Sequence, residues 1–229
     1  MQAHDFWQEI YPPGTFSQGG PYSDAFPASL PDGSQILLPI RPMPDGEHAL
    51  ASLIINQASF AVQDAIADAL ADRLVPFEPE IVVGLPTLGL TLAAAVARKL
   101  GHGRYVPFGT SRKFWYDEEL SLPLSSITSP SQSKRLYVDP RMLPLLRDAR
   151  IALVDDVSSS GVSLAAGLDL MALCGLEPKV LGVAMLQTDR WKARLSETDP
   201  SWPDRIESVF HTPMLTRAGD GEWKDSLAI

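Results

Sequence analysis

Four consecutive apolar residues, Ile151-Ala152-Leu153-Val154, run directly into Asp155-Asp156 and then into a hydroxyl-rich turn, Ser158-Ser159-Ser160-Gly161-Val162-Ser163. A short unbroken apolar run bounded by turn residues predicts a strand buried on both faces. Such a strand needs helices above and below it, so the chain is restricted to a sheet enclosed between helical layers. The flanking segments keep the same rhythm. Residues 80–83 predict a short β-branched strand, 84–89 a turn, and 90–100 an Ala/Leu helix with Gly101 at its C-terminal cap. Residues 105–108 predict another strand, Val162–Leu173 a helix closed by Gly175, and 180–186 a further buried strand. Strands alternating with helices predict an α/β fold with a doubly wound, mostly parallel sheet.

Outside this block the patterns change. In the first thirty or so residues Pro12, Pro13, Gly14, Gly19, Gly20, Pro21 and Pro27 interrupt every periodic run, yet aromatics such as Phe6, Trp7 and Tyr22 recur. That mixture predicts an arm packed on a body or on a partner. Residues 34–40 predict a strand. Apolar residues from Leu50 through Leu70 recur at helical spacing, and Pro76 and Pro79 stop that helix. From Gly109 to Pro140 the chain is polar and Ser-rich, with short strand-like pieces at 122–127 and 135–138, and beyond Trp191 no element is assigned.

The chemistry concentrates where a buried strand ends. In a doubly wound sheet, ligands gather outside the carboxyl ends of the strands, near the reversal of strand order. Two aspartates delivered there repel each other and lose hydration, unless a cation or hydroxyl donors compensate. Sugar hydroxyls and a magnesium ion do so. The Ser158–Ser163 turn precedes a helix, whose N-terminal amides carry the positive end of the dipole, and the serines add donors. Gly161 permits an approach that a side chain would block. An acidic pair followed by a phosphate cradle asks for a phosphorylated sugar with free hydroxyls. Helix capping by serine accounts for one or two of the hydroxyls and leaves the paired aspartates unexplained.

The segment IALVDDVSSSGVS resembles the signature of type I phosphoribosyltransferases, and the resemblance extends over roughly 80–186. It implies that Asp155 and Asp156 bind the ribose hydroxyls of phosphoribosyl pyrophosphate, with Mg2+, and that Ser159, Ser160, Gly161, Val162 and Ser163 bind its 5-phosphate. Ser158 adjoins that cradle and departs from the pattern, in which an aliphatic residue is usual. Gly84-Leu85-Pro86-Thr87-Leu88-Gly89 is similar to the family's pyrophosphate loop; by itself the turn also reads as an ordinary strand–helix connection. The polar stretch after Gly109 matches a mobile lid loop whose basic residues, here Arg112 and Lys113 with Lys134 and Arg135 as further candidates, reach the pyrophosphate. In relatives acting on hypoxanthine or guanine an aspartate stands where Ser159 does, so the resemblance implies the adenine- or orotate-like branch. Asp189 and Trp191, after the 180–186 strand, are candidates for reading and stacking a base; Trp191 reads equally as an aromatic packed beneath the tail.

The implied organisation is an N-terminal arm or hood over 1–45, a phosphoribosyltransferase-like core over 46–190 and a C-terminal extension packed on it over 191–229. The implied reaction transfers ribose 5-phosphate to a nucleobase with release of pyrophosphate; the alternative is a non-catalytic sensor of phosphoribosyl pyrophosphate or a nucleotide on the same fold. A formal net charge of −9 argues against nucleic acid as the main partner. No stretch approaches the ~18 apolar residues of a membrane span. No secretory leader is expected from MQAHDFWQEIYPPG, and a single cysteine, Cys174, suits a reducing compartment, so a cytoplasmic location is expected. The resemblance implies a homodimer. A serine hydrolase lacks its Gly-x-Ser-x-Gly elbow here, and His4, His48, His102 and His211 show no zinc-ligand spacing.

Overall fold

A computed structural model describes residues 1–123 and 135–226. Its centre is a parallel sheet made of β4 (Ile81–Gly84), β5 (Val106–Pro107), β8 (Ile151–Ser158), β9 (Val180–Gln187) and β10 (Ile206–Thr212). The order is β10-β9-β8-β4-β5, and each neighbouring pair is parallel. The chain proceeds from β4 outward to β5 and then returns to the other side of β4, so strand order reverses between β4 and β8.

Helices cover both faces, as the unbroken apolar runs require. Along β8, Ala152 and Val154 join the core shared with α1 (Phe60–Leu74) and α2 (Gly89–Lys99), while Ile151 and Leu153 join the core shared with α4 (Val162–Leu173) and α5 (Arg190–Thr198). The helix anticipated from Leu50 begins at Phe60. Ser59 caps it, its hydroxyl accepting from Val62 N at 3.3 Å, and His48–Ala51 is instead the strand β3. The apolar residues of 48–51 alternate in burial, which answers to a sheet rather than to a helix face.

A second, antiparallel sheet has the order β1-β2-β3-β11-β12, from β1 (Ala25–Ser29), β2 (Gln35–Pro42), β3, β11 (Met214–Gly219) and β12 (Glu222–Asp225). Both ends of the chain therefore enter one hood. The segment beyond Trp191 is more than a covering: it supplies α5, the edge strand β10 of the central sheet and two hood strands. Pro213 separates β10 from β11 and hands the chain from one sheet to the other. The amide of Gln187, at the end of β9, donates to Ala51 O at 2.6 Å and ties the hood to the core. The aromatic N-terminal arm packs on the body, with Trp7 buried and its Nε1 donating to Ser52 O at 3.0 Å. A two-stranded ribbon of β6 (Ser121–Pro123) and β7 (Arg135–Tyr137), followed by the short α3 (Leu143–Leu146), completes the described chain. Among the described residues no helix is long and apolar enough to cross a membrane.

Candidate active site

The reversal of strand order between β4 and β8 opens a crevice at their carboxyl ends. Gly84 lies beside Val154 in register, and Leu85 N donates to Val154 O at 2.9 Å, so the two following loops start side by side. Pairing of β8 with β9 continues as far as Ser158↔Leu186, which places the acidic pair inside a strand rather than beyond its end. Backbone pairing is indifferent to side-chain charge, which is why the apolar run ends earlier than the strand.

Asp155 and Asp156 are 5% and 8% exposed. Asp156 N donates to Asp155 Oδ1 at 2.9 Å. Burial, followed by the neighbouring charge of Asp156, raises the Asp155 carboxyl well above the usual carboxylate range, and burial raises Asp156 as well. Among the described residues neither carboxylate forms an ion pair. Burial thus penalises the charge of the pair, and hydroxyl donors or a cation would offset that penalty. Among the described residues no group of three or more His, Cys, Asp or Glu could hold a metal ion, so any ion here would need oxygens from a ligand to complete its shell.

Serine capping is not what the hydroxyl-rich turn does. The N-cap of α4 is Gly161, at φ +78, and no side chain caps the helix. Its first amides are left for another acceptor. A Cβ on Gly161 would lie 2.9 Å from Trp191 O, so glycine is also what lets α5 close against the turn. Ser159 is half-buried, and Ser160 and Ser163 are exposed at the cradle, with Val162 opening the helix. Ser158 does not join them: it is 2% exposed, and its hydroxyl is buried without a hydrogen-bond partner among the described residues. Its place as the last residue of β8 turns it into the core, where the resemblance has an aliphatic residue.

A second uncapped helix faces the same crevice. The N-cap of α2 is Leu88, which offers no side-chain acceptor, and a Cβ on Gly89 would lie 2.5 Å from Asp155 Oδ1 and 2.8 Å from Asp155 Cα. Only a residue without a side chain brings this helix start against the acidic pair. The preceding loop contains a cis peptide between Pro86 and Thr87, and Thr87 is exposed. Leu85 is a core residue, its side chain packed against Gly167, so it has only its backbone to offer a ligand.

Other candidates are placed elsewhere. Trp191 is 3% exposed and its Nε1 donates to Thr188 O at 2.9 Å; the first turn of α5 buries it in the core, so it does not stack on a base. Asp189 is exposed beside it, paired with Lys192 Nζ at 2.8 Å, which holds its carboxyl below the usual range. Arg112 pairs with Glu118 at 3.5 Å, and Lys113 is exposed; no hydrogen bond or ion pair among the described residues joins either to the crevice. Arg135 is spent on the ribbon, donating to Ser121 Oγ at 3.0 Å. Lys134, with the rest of 124–134, lies outside the described residues. Trp115, just past Lys113, is anchored by a 3.3 Å bond from Nε1 to Asp139, whose carboxyl is drawn down to about 2 by Arg141.

Two residues at the crevice escaped sequence reasoning. Arg190 Nη2 donates to Ser159 Oγ at 2.9 Å, and Gln187 lies where hood and core meet. Neither belongs to a spaced motif; their position depends on how β9 and α5 approach the turn after β8.

A family model described as the phosphoribosyl transferase domain matches residues 52–214, more than half of the chain. An adenine phosphoribosyltransferase from Corynebacterium efficiens is 29% identical over 131 residues, covering 55% of this chain and 61% of that protein. The match thus spans less than two thirds of that relative's length. The structure of APRTase from Giardia lamblia complexed with 9-deazaadenine superposes with a TM-score of 0.57 at 21% identity, over 76% of this chain and 93% of that one. That of adenine phosphoribosyl transferase from Trypanosoma brucei, in complex with AMP, pyrophosphate and ribose-5-phosphate, does so with 0.56 at 15% identity, over 91% and 76%. At these identities the structural likeness concerns the fold.

Proposed function

This chain belongs to the phosphoribosyl transferase family, and from that premise we propose that it transfers ribose 5-phosphate from phosphoribosyl pyrophosphate to adenine, with release of pyrophosphate. The observation that carries the reading is the convergence of two uncapped helix starts on a buried acidic pair, with Gly89 against Asp155 and Gly161 heading the turn after β8. One helix start suits the 5-phosphate and the other the pyrophosphate, while the aspartates between them suit the ribose hydroxyls. Adenine is the base named for the Corynebacterium and Trypanosoma relatives, the Giardia structure holds 9-deazaadenine, and Ser159 stands where an aspartate marks the hypoxanthine-guanine branch.

Displacement at C1 by a ring nitrogen passes through an oxocarbenium-like state, so the protein's work is positioning and charge stabilisation. Asp155 and Asp156 accept hydrogen bonds from the ribose hydroxyls, and their charge favours the cationic sugar. The amides of Ser159, Ser160, Gly161, Val162 and Ser163 hold the 5-phosphate. The backbone from Leu85 to Gly89 holds the pyrophosphate, with Arg112 and Lys113 approaching it from the polar segment. Asp189 and the hood side of Gln187 flank the base. Two adjacent carboxylates with no third protein ligand fit Mg2+, an ion commonly held by one or two carboxylates plus substrate oxygens. When bound, the ion supplies charge neutralisation for the leaving group. The same reading places the protein in the cytoplasm as a homodimer.

Incubation with phosphoribosyl pyrophosphate, Mg2+ and a panel of purine and pyrimidine bases tests it. Pyrophosphate release with adenine is the expected result. Binding of phosphoribosyl pyrophosphate with no release for any base would instead identify a sensor, and no binding would overturn both.

A further inference from the structure

The cradle after β8 has a cation that its own sequence lacks. Arg190 Nη2 donates to Ser159 Oγ at 2.9 Å, reaching across from the start of α5. The other charges of that turn are already matched: Asp189 pairs with Lys192 at 2.8 Å, and Arg194 with Glu197 at 2.6 Å. Among the described residues Arg190 has no carboxylate partner; its remaining hydrogen bonds, from N and Nε, go to Thr188 Oγ1 at 3.4 Å. An unmatched guanidinium is therefore held at a helix start whose amides are uncapped.

Its placement is built into the fold. Thr188 joins β9 to α5 at φ +61, a conformation a β-branched residue adopts only where its surroundings compel it. It is held there by Thr188 N donating to Thr212 O at 2.8 Å and by the indole of Trp191 on its carbonyl. Gly161 then admits the backbone of Trp191 against the cradle, which a Cβ 2.9 Å from Trp191 O would prevent. The kink, the buried indole and the glycine all serve to bring the first turn of α5 onto the cradle, with Arg190 at its leading end.

The charge balance gives that cation a purpose. A phosphate seated on this turn arrives beside two buried carboxylates in a chain of net charge −9. Amides and hydroxyls alone would face a dianion in that field, whereas a guanidinium offers a fork of donors matched to phosphate oxygens. Ser159, accepting from Arg190, keeps its own O–H to donate to the same phosphate.

We propose that Arg190 is a ligand of the sugar 5-phosphate, acting together with Ser159 from outside the contiguous cradle. The inference rests on the phosphoribosyl pyrophosphate reading. Its test is calorimetric titration of the wild-type protein, Arg190→Gln and Arg190→Lys with ribose 5-phosphate, AMP, adenosine and pyrophosphate. Arg190→Gln is expected to weaken ribose 5-phosphate and AMP by roughly tenfold or more, as for loss of a charge-assisted bond. Arg190→Lys should recover part of the loss, and adenosine and pyrophosphate should bind as in the wild type. Unchanged ribose 5-phosphate affinity in Arg190→Gln, or an equal loss for adenosine, overturns the assignment and leaves the parent reading standing. Failure of the wild type itself to bind ribose 5-phosphate overturns both.

Discussion

Asp155 and Asp156 sit where their charge is disfavoured: burial raises both carboxyls above their ordinary value of 3.8, and the neighbouring Asp156 raises Asp155 further. Between the ordinary and the raised values the folded chain binds more protons than the unfolded one. The pair's contribution to stability is therefore present below about pH 3.8 and is lost as pH rises through the raised values. At neutral pH the free protein carries this penalty, and a ligand presenting hydroxyls or a cation relieves it. The double variant Asp155→Asn, Asp156→Asn should lose Mg2+-dependent binding of phosphoribosyl pyrophosphate while melting higher than the wild type at pH 7. The gain, on a scale of roughly 2–4 °C per kcal/mol for a chain of this size, should close as the pH is lowered toward 4. Calorimetry and thermal melts across pH measure both; retained affinity would refute the ribose assignment.

At the scale of elements, the proposed site depends on how closely α2 approaches β8. Gly89→Ala would place a Cβ 2.5 Å from Asp155 Oδ1 and 2.8 Å from its Cα, and a backbone atom of a central strand cannot step aside. The helix start must lift, at a cost of about 1–3 kcal/mol for overpacking, and the loop from Leu85 to Leu88 lifts with it. We expect lower stability in chemical denaturation together with a loss of pyrophosphate affinity. Gly103→Ala, which meets nothing within 4 Å, serves as the control and should change neither.

At the scale of the molecule, the hood is closed by the chain's two ends. Tyr22 and Trp223 exchange backbone hydrogen bonds, each 2.7 Å, and the Trp223 side chain is buried in the core beneath the hood sheet. Trp223→Ala should cost about 3–5 kcal/mol by analogy with other buried aromatics. In the proposed function the parallel sheet carries the ribose and phosphate contacts and the hood flanks the base. The KM for adenine should therefore rise more than that for phosphoribosyl pyrophosphate. Equal changes in the two would argue that the hood does not shape the base pocket.

Much of this protein was determined within short stretches of its sequence. The strand, acidic pair, turn and helix from Ile151 to Leu173 are contiguous, and burial pattern, turn chemistry and helix start are local properties, so the parallel sheet and the turn at the start of a helix were legible there. Pairings over long separations were not. Nothing near Leu50 distinguishes a helix face from a hood strand, because its identity as β3 comes from partners at Ile40–Pro42 and Met214–Thr216. The tail beyond Trp191 became strands only by meeting β9 and the hood. Trp191 reads from sequence equally as a base-stacking or a packed aromatic, and Ser158 as a neighbour of the cradle; tertiary packing turned both inward, since a neighbouring helix or core can claim a side chain whatever its chemistry. Arg190 shows the converse: an unremarkable surface arginine in the sequence is brought to the cradle because Thr188, Gly161 and the docking of α5 decide where its guanidinium ends.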